Sequence, residues 1–312
     1  MYLVLDIGGT FIKYALMNSG GNIIDKGRIP SPNKGALINL TISDTERQLE
    51  RFKEVLFSII DRQDLTSIKG IAISCPGTID VETGIIYNGG DLYPFLHEVN
   101  VVEILEERYG KVVHIENDGK CAALAELWLG SVKDVNDSVV LVLGSGVGGG
   151  IILNKKLHRG VHLSAGEVSY VMSGLDAITK EAQFVGLEYS AVEMVKRIAQ
   201  IKKIEDPTDG EAVYKYINQQ DREAMEVFDD YCTKVASLVL NMQYILDPEI
   251  IAIGGGISAQ PILVERIQWV IDEIKKKNPL HVASPKVVAC QFQNDANLYG
   301  ALFHFFVNQE KK

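Results

Sequence analysis

The stretch Asp6-Ile7-Gly8-Gly9-Thr10-Phe11-Ile12-Lys13 sets a carboxylate at a predicted strand end, then two glycines, a hydroxyl and a lysine. Glycines let a backbone turn tightly and bring N–H groups against a phosphate, and a carboxylate can hold Mg²⁺ through water. Taken alone, these residues also describe an ordinary hairpin. Gly144-Ser145-Gly146-Val147-Gly148-Gly149 follows another predicted strand, with Glu167 downstream. That spacing matches a dinucleotide fingerprint, but a dinucleotide site needs a helix to open at the glycines, and Ile151-Ile152-Leu153 reads as strand. A hairpin of backbone N–H groups with the Ser145 hydroxyl suits the outer phosphates of ATP instead. Gly254-Gly255-Gly256, entered from a strand and followed by a helix, would let an adenine or ribose lie against bare backbone, the alternative being a simple strand-to-helix turn, which needs fewer glycines.

Glu116-Asn117-Asp118-Gly119 sits between a predicted strand at 112–115 and an apolar helix at 121–129. Its side chains therefore emerge at the carboxyl end of a strand, where open α/β sheets bind ligands. Asp118 fits a helix N-cap as well as a reacting group, and Asn117 offers both donor and acceptor to a hydroxyl.

The elements that must position these residues follow a plan that occurs twice. Residues 2–29 read as strand, glycine turn, strand, turn, strand, and so do residues 138–159, with the glycine turn at 144–150 and strand resuming at 151–153. After the first occurrence, Leu49, Phe52, Val55, Leu56, Ile59 and Ile60 mark a helix over 45–63, followed by a strand at 69–74, a helix at 101–109 and a strand at 111–115. After the second, residues 188–246 are mainly helical, broken near Glu205-Asp206-Pro207 and Asp209-Gly210 and ended by Asp247-Pro248. A strand at 249–253, a helix at 261–277, a strand at 285–290 and a last helix at 296–307 complete the chain. This alternation implies two related α/β domains with mixed sheets, 1–117 plus 298–312 and 118–297, the last helix packing back on the first domain.

A chain of 312 residues carries a prior of about two domains. Lys+Arg 31 against Asp+Glu 41 leaves a net charge of −10, which argues against nucleic acid or anionic lipid as partner. The run Lys275-Lys276-Lys277 closes a predicted helix, where cations meet the negative end of its dipole. Cys75, Cys121, Cys232 and Cys290 are far apart and form no CxxC pair, so a zinc knuckle or redox dithiol is not indicated. Met1 leads straight into a strand without a basic leader or an apolar run of about 18 residues, and a cytoplasmic location is expected.

Together these stretches resemble the actin-like ATPase superfamily (ribonuclease H-like fold), and specifically the ROK family of sugar kinases and repressors. The marks are Leu5 to Lys13, Glu116-Asn117-Asp118, 144–150 followed by Arg159-Gly160 and Ala165-Gly166-Glu167, Asp247-Pro248-Glu249 into Gly254-Gly255-Gly256, and Ala296-Asn297-Leu298-Tyr299-Gly300. The resemblance implies a two-domain fold with the active site in the interdomain cleft, a sugar substrate, ATP with Mg²⁺, and a homodimer. It implies Asp118 as the base that takes the proton from a sugar hydroxyl, O6 by expectation. Asn117, Glu167 and Glu188 would bind ring hydroxyls. Asp6 would help hold Mg²⁺, the phosphates would meet Gly8, Gly9, Thr10, Lys13, Gly144, Ser145, Gly146 and Gly148, and the nucleoside would meet Gly254, Gly255 and Gly256. The chain departs from the family after Glu167. Many members have Gly-His there and then a cysteine cluster that binds zinc, whereas here Val168-Ser169-Tyr170 follows and no cysteine lies between Cys121 and Cys232. Zinc is therefore not expected, and Tyr170 stands where the sugar-contacting histidine would be. Such a loop leaves room for a substituent on the anomeric oxygen, as in a β-glucoside. A sugar-responsive regulator and a non-catalytic sugar sensor are the competing readings; the acidic charge and the absence of residues ahead of the first strand argue against the former, the intact Asp118 against the latter.

Overall fold

The computed structural model describes residues 1–32, 42–90 and 92–309, with Ile42 described by its backbone alone; the remaining residues of the two expected domains lie outside that description. The chain divides into two compact units. One comprises Met1–Trp128, Arg159–Ser164 and the residues from Asp295 onward, and the other Leu129–His158 and Ala165–Asn294. The first unit thus keeps the helix that follows Asn117, beyond the boundary expected at 117, and reclaims a short stretch of chain at Arg159.

In the first unit, β1 (Tyr2–Ile7), β2 (Phe11–Met17) and β3 (Ile23–Pro30) form the antiparallel meander. Helix α1 (Ile42–Ile60) leads to β4 (Gly70–Cys75), and its Phe52, Leu56, Ile59 and Ile60 are buried at the spacing that predicts them. A small sheet of β5 (Thr78–Ile79), β6 (Ile85–Asn88) and β7 (Val99–Asn100) follows. Two-residue strands carry no readable period, and the sequence pattern gives no sign of them. Helix α2 (Val101–Tyr109) is capped by Asn100, whose side chain accepts the Glu103 N–H at 3.0 Å, and closed by Gly110 in the left-handed region. Then come β8 (Val112–Asn117) and α3 (Asp118–Trp128). The main sheet has the order β3-β2-β1-β4-β8, with β1, β4 and β8 parallel.

The second unit repeats the arrangement: β9 (Ser138–Leu143), β10 (Val147–Leu153) and β11 (Lys156–His158) form the meander. After the hairpin of β12 (Met172–Leu175) and β13 (Ala182–Phe184) come α4 (Val185–Glu188), α5 (Ala191–Lys202), α6 (Gly210–Asn218) and α7 (Arg222–Leu246), then β14 (Ile250–Gly254), α8 (Pro261–Lys277) and β15 (Val287–Ala289). The sheet order is β11-β10-β9-β14-β15, with β9, β14 and β15 parallel, so the predicted duplication holds strand for strand. The predicted break near Glu205-Asp206-Pro207 and Asp209-Gly210 falls between α5 and α6, and the Asp209 side chain caps α6 by accepting the Ala212 N–H at 2.9 Å. Asp221 caps α7 in the same way, ending a helical run that the sequence pattern leaves continuous. Lys275, Lys276 and Lys277 occupy the last turn of α8, as predicted.

Helix α9 (Ala296–Gln309) returns to the first unit and packs along α3 and the sheet. One face of that sheet buries Leu3, Leu5, Ile71 and Ile73 against α1 and α2, and the other buries Val4, Ala15 and Ala72 against Cys121 of α3 and Leu298, Leu302 and Phe305 of α9. The α3–α9 approach is set by Gly300, where an added Cβ would fall 1.7 Å from the carbonyl oxygen of Cys121. Gly300→Ala is expected to destabilise the protein by about 2 kcal/mol or more, because backbone rather than a flexible side chain must give way. A denaturant titration checks this through a lowered midpoint at an unchanged slope; an unshifted midpoint would contradict the close crossing.

Candidate active site

The strand ends of the first unit bring its predicted residues together. Asp6 lies opposite Ser74 on β4 and Lys13 on β2, while Cys75 at the end of β4 lies opposite Asn117 on β8. Asp6 is 3% exposed. Its Oδ2 accepts Lys13 Nζ at 3.2 Å and its Oδ1 accepts Asn297 Nδ2 at 3.0 Å. Each oxygen keeps a further lone pair, and Mg²⁺ usually retains several waters and uses only one or two carboxylates, so this donor fits a water-mediated ion. The local field agrees with that fit: burial pushes the Cys75 thiol well up, and the carboxylates of Asp118 and Asp6 push it further.

The turn Gly8-Gly9-Thr10 joins β1 to β2, and Gly8 N–H donates to the Phe11 carbonyl at 3.1 Å. Tyr93, fully buried, braces it by donating its hydroxyl to the Gly8 carbonyl at 2.8 Å, with Ser31 Oγ at 2.6 Å. Burial raises the Tyr93 pKa to about 12, so the phenol remains a proton donor at neutral pH. Thr10 is exposed beside this brace.

The cap of α3 is Asn117 and not Asp118. Asn117 Oδ1 accepts the Lys120 N–H at 3.1 Å while its Nδ2 donates to the Gly77 carbonyl at 3.0 Å. The half-buried Asp118 accepts the neighbouring Gly119 N–H at 2.8 Å through Oδ1. The role that competed with chemistry for Asp118 is thus filled by its neighbour.

In the second unit the glycine turn is shorter than predicted. β10 begins at Val147, so Gly144, Ser145 and Gly146 form the turn, and Gly148 is an exposed strand residue opposite Val142. The chain enters a strand after the glycines, which does not provide the helix start of a dinucleotide site. Ser169 fastens this turn, its Oγ accepting the Val147 N–H and donating to the Val147 carbonyl, each at 3.1 Å. Ser169 belongs to a single helical turn, Val168–Tyr170, directly after the half-buried Glu167. Tyr170 is 69% exposed at its end. Gly186 packs on Ser169, and two residues on, the exposed Glu188 places Oε2 3.8 Å from Lys234 Nζ. Glycine turn, Glu167, Tyr170 and Glu188 are therefore neighbours in one braced segment. Ser169 escapes sequence reading because its partner lies far along the chain, as do the partners of Tyr93 and Asn297.

Gly254 ends β14 beside Val142, and Gly255 has φ +95° with an added Cβ only 2.0 Å from the Leu143 carbonyl oxygen, so glycine is required there twice over. Gly256 faces open space on a cavity of about 330 Å³. Leu143, Gly144, Ala191, Val192, Val195, Ile257 and Tyr214 form its apolar walls, and Thr208, Glu211 and Gln260 supply polar groups. This size and lining suit a nucleoside.

The β-glucoside kinase of Listeria monocytogenes is 30% identical over 309 residues, covering 98% of this chain and 97% of that protein. The glucokinase of Halalkalibacterium halodurans is 29% identical, covering 82% and 80% of the two chains. Among solved structures, a ROK family protein from Streptococcus pneumoniae in complex with sucrose superposes with a TM-score of 0.83 at 30% identity, covering 100% and 99%. The model of the ROK family itself matches residues 2–306, and with the doubled sheet plan and both braced glycine turns in place, this chain belongs to the ROK family.

Proposed function

We propose that this protein is an ATP-dependent sugar kinase that transfers the γ-phosphate of ATP to a hexose or β-glucoside hydroxyl, O6, with Asp118 as general base. The observation that carries this reading is the division of labour at the end of β8, where the helix is capped by Asn117 and not by Asp118, the half-buried carboxylate that follows it. The names of full-length relatives support the reaction class.

In this reading the sugar hydroxyl attacks the γ-phosphorus while its proton passes to an Asp118 oxygen. The new O–P bond forms as the bond to the bridging oxygen breaks, and ADP leaves. Gly8 to Thr10 with Lys13, and Gly144 to Gly146, would meet the phosphates; the cavity at Gly256 would take the nucleoside. Asp6 would hold Mg²⁺ through water, and the ion neutralises phosphate charge. Glu167 and Glu188 would receive ring hydroxyls. Asn117 would add a contact only through the second proton and lone pair that its cap leaves over. Ser169 holds Val147 through two hydrogen bonds, and this reading requires no zinc. The exposed Tyr170 and the β12–β13 hairpin that follows offer apolar surface, including Met172 and Ile178, to a β-linked substituent on the sugar. A cytoplasmic homodimer without nucleic acid completes the proposal, from family resemblance and net charge.

The test is ADP release with Mg-ATP over hexoses, amino sugars and β-glucosides, with the phosphorylated carbon of the product located by NMR. Asp118→Asn is expected to lose on the order of 10²–10⁴ in kcat. Sugar binding without turnover in the wild type would favour a sensor, and turnover retained in Asp118→Asn would refute the base. Val192→Trp, which fills the nucleoside cavity from a half-buried position, is expected to raise KM for ATP at least ~10-fold with KM for sugar little changed, a split that locates uniform binding energy. Equal shifts in both constants would contradict the cavity's assignment.

A further inference from the structure

Behind Asp118 lies a buried ionic network to which the mechanism above gives no task. Glu116, 1% exposed, immediately precedes Asn117 on β8. Its two oxygens do different things: Oε1 accepts the backbone N–H of Asn117 at 2.8 Å, and Oε2 accepts Arg159 Nε at 2.8 Å and Nη2 at 2.6 Å. Arg159 Nη2 also lies 3.3 Å from Nδ1 of His304, a buried residue of α9 whose ring meets Asn308 Nδ2 at 3.1 Å.

A carboxylate as buried as Glu116 is costly unless a cation and hydrogen bonds satisfy it; Arg159 is a permanent cation at its Oε2, and His304 Nδ1 lies 3.7 Å from the same oxygen. The guanidinium fork directs two N–H groups onto one oxygen, which turns the other toward the peptide that leads into Asp118. A lysine would supply the charge without the fork. Arg159 also begins the short stretch, Arg159–Ser164, that belongs to the first unit although both flanks belong to the second. We infer that Arg159 is a positioning residue, which through Glu116 fixes the peptide carrying Asp118 and so sets the base at its working distance from the substrate hydroxyl. The inference rests on the kinase reading for its kinetic consequence but not for its structural one.

Arg159→Met, Arg159→Lys and the neutral pair Glu116→Gln/Arg159→Met test it in the full chain, by kcat, both KM values, thermal midpoint and hydrogen exchange of the peptide spanning 112–124. Misplacing a reacting group by about 1 Å costs on the order of 10²-fold. Arg159→Met is therefore expected to lose about that factor in kcat with KM for ATP nearly unchanged, to exchange faster at 116–120, and to be partly rescued in Arg159→Lys. The neutral pair removes the unpaired buried charge, so it is expected to fold and yet remain slow. A neutral pair with wild-type kcat, or a kcat loss in Arg159→Met that follows the thermal midpoint alone, would overturn the inference. Should the wild type show no sugar-dependent turnover, the kinase reading fails by itself, and exchange at 116–120 still decides: acceleration in Arg159→Met supports the positioning role, and wild-type exchange overturns it.

Discussion

β1, β4 and β8 run parallel and end in register, and the chemistry assigned to the first unit depends on that alignment. Asp6 pairs with Ser74, the residue before Cys75, and Cys75 pairs with Asn117, so Asp6 and the Asn117-Asp118 pair lie near the same end of three neighbouring strands. A one-residue slip of any strand would turn its side chains to the opposite face. Register is fixed by burial on both faces, Leu5 and Ile73 toward α1 and α2, Val4 and Ala72 toward α3 and α9. The packing of apolar residues well away from the edge thus decides where the charges stand beside Cys75, whose thiol is pushed up first by burial and then by the carboxylates of Asp118 and Asp6.

The second unit repeats the same strand plan with a different set of residues at its edge. Its edge carries glycines in place of carboxylates: Gly144 and Gly146 in the turn after β9, and Gly255 pressed on the Leu143 carbonyl after β14. Bare backbone can approach a phosphate or a base, but it has no side chain to fix it, and the hydroxyls of Ser169 and Ser258 take over that function. Ser169 holds both polar groups of Val147, and Ser258 donates to the Gly255 carbonyl at 2.8 Å. Ser190 caps α5 close by, and the Gly144 carbonyl accepts the Ala191 N–H at 2.9 Å, so turn and helix start are one hydrogen-bonded unit. A duplicated scaffold has in this way become a carboxylate edge in one copy and a glycine edge in the other.

Much of this was legible in the sequence because it is local. The strand–glycine–strand plan, its recurrence and the position of Asp118 after a strand all follow from period and punctuation within a few residues. The family marks extended that reading to Glu167 and Glu188. What stayed hidden depends on distance along the chain or on a single turn of backbone. Whether Asn117 or Asp118 caps α3 turns on which side chain reaches the Lys120 N–H, a question of one residue in register. Tyr93 under Gly8, Asn297 on Asp6 and Ser169 on Val147 join residues whose proximity only the folded topology creates. The start of β10 at Val147 also overrides local propensity, since Gly148, Gly149 and Gly150 read as turn but are held in the ladder by pairing with Val142, Leu141 and Val140.

Central to this account is the proposal that Asp118 takes the proton of the sugar hydroxyl and contributes little to sugar affinity. Single-turnover transfer from γ-labelled ATP, measured beside equilibrium sugar binding for wild-type protein and Asp118→Asn, separates those two roles. The account predicts sugar affinity within a few-fold of wild type and phosphoryl transfer slower by on the order of 10² or more. Transfer at the wild-type rate in Asp118→Asn, or loss of sugar binding that alone accounts for the slower rate, would contradict it.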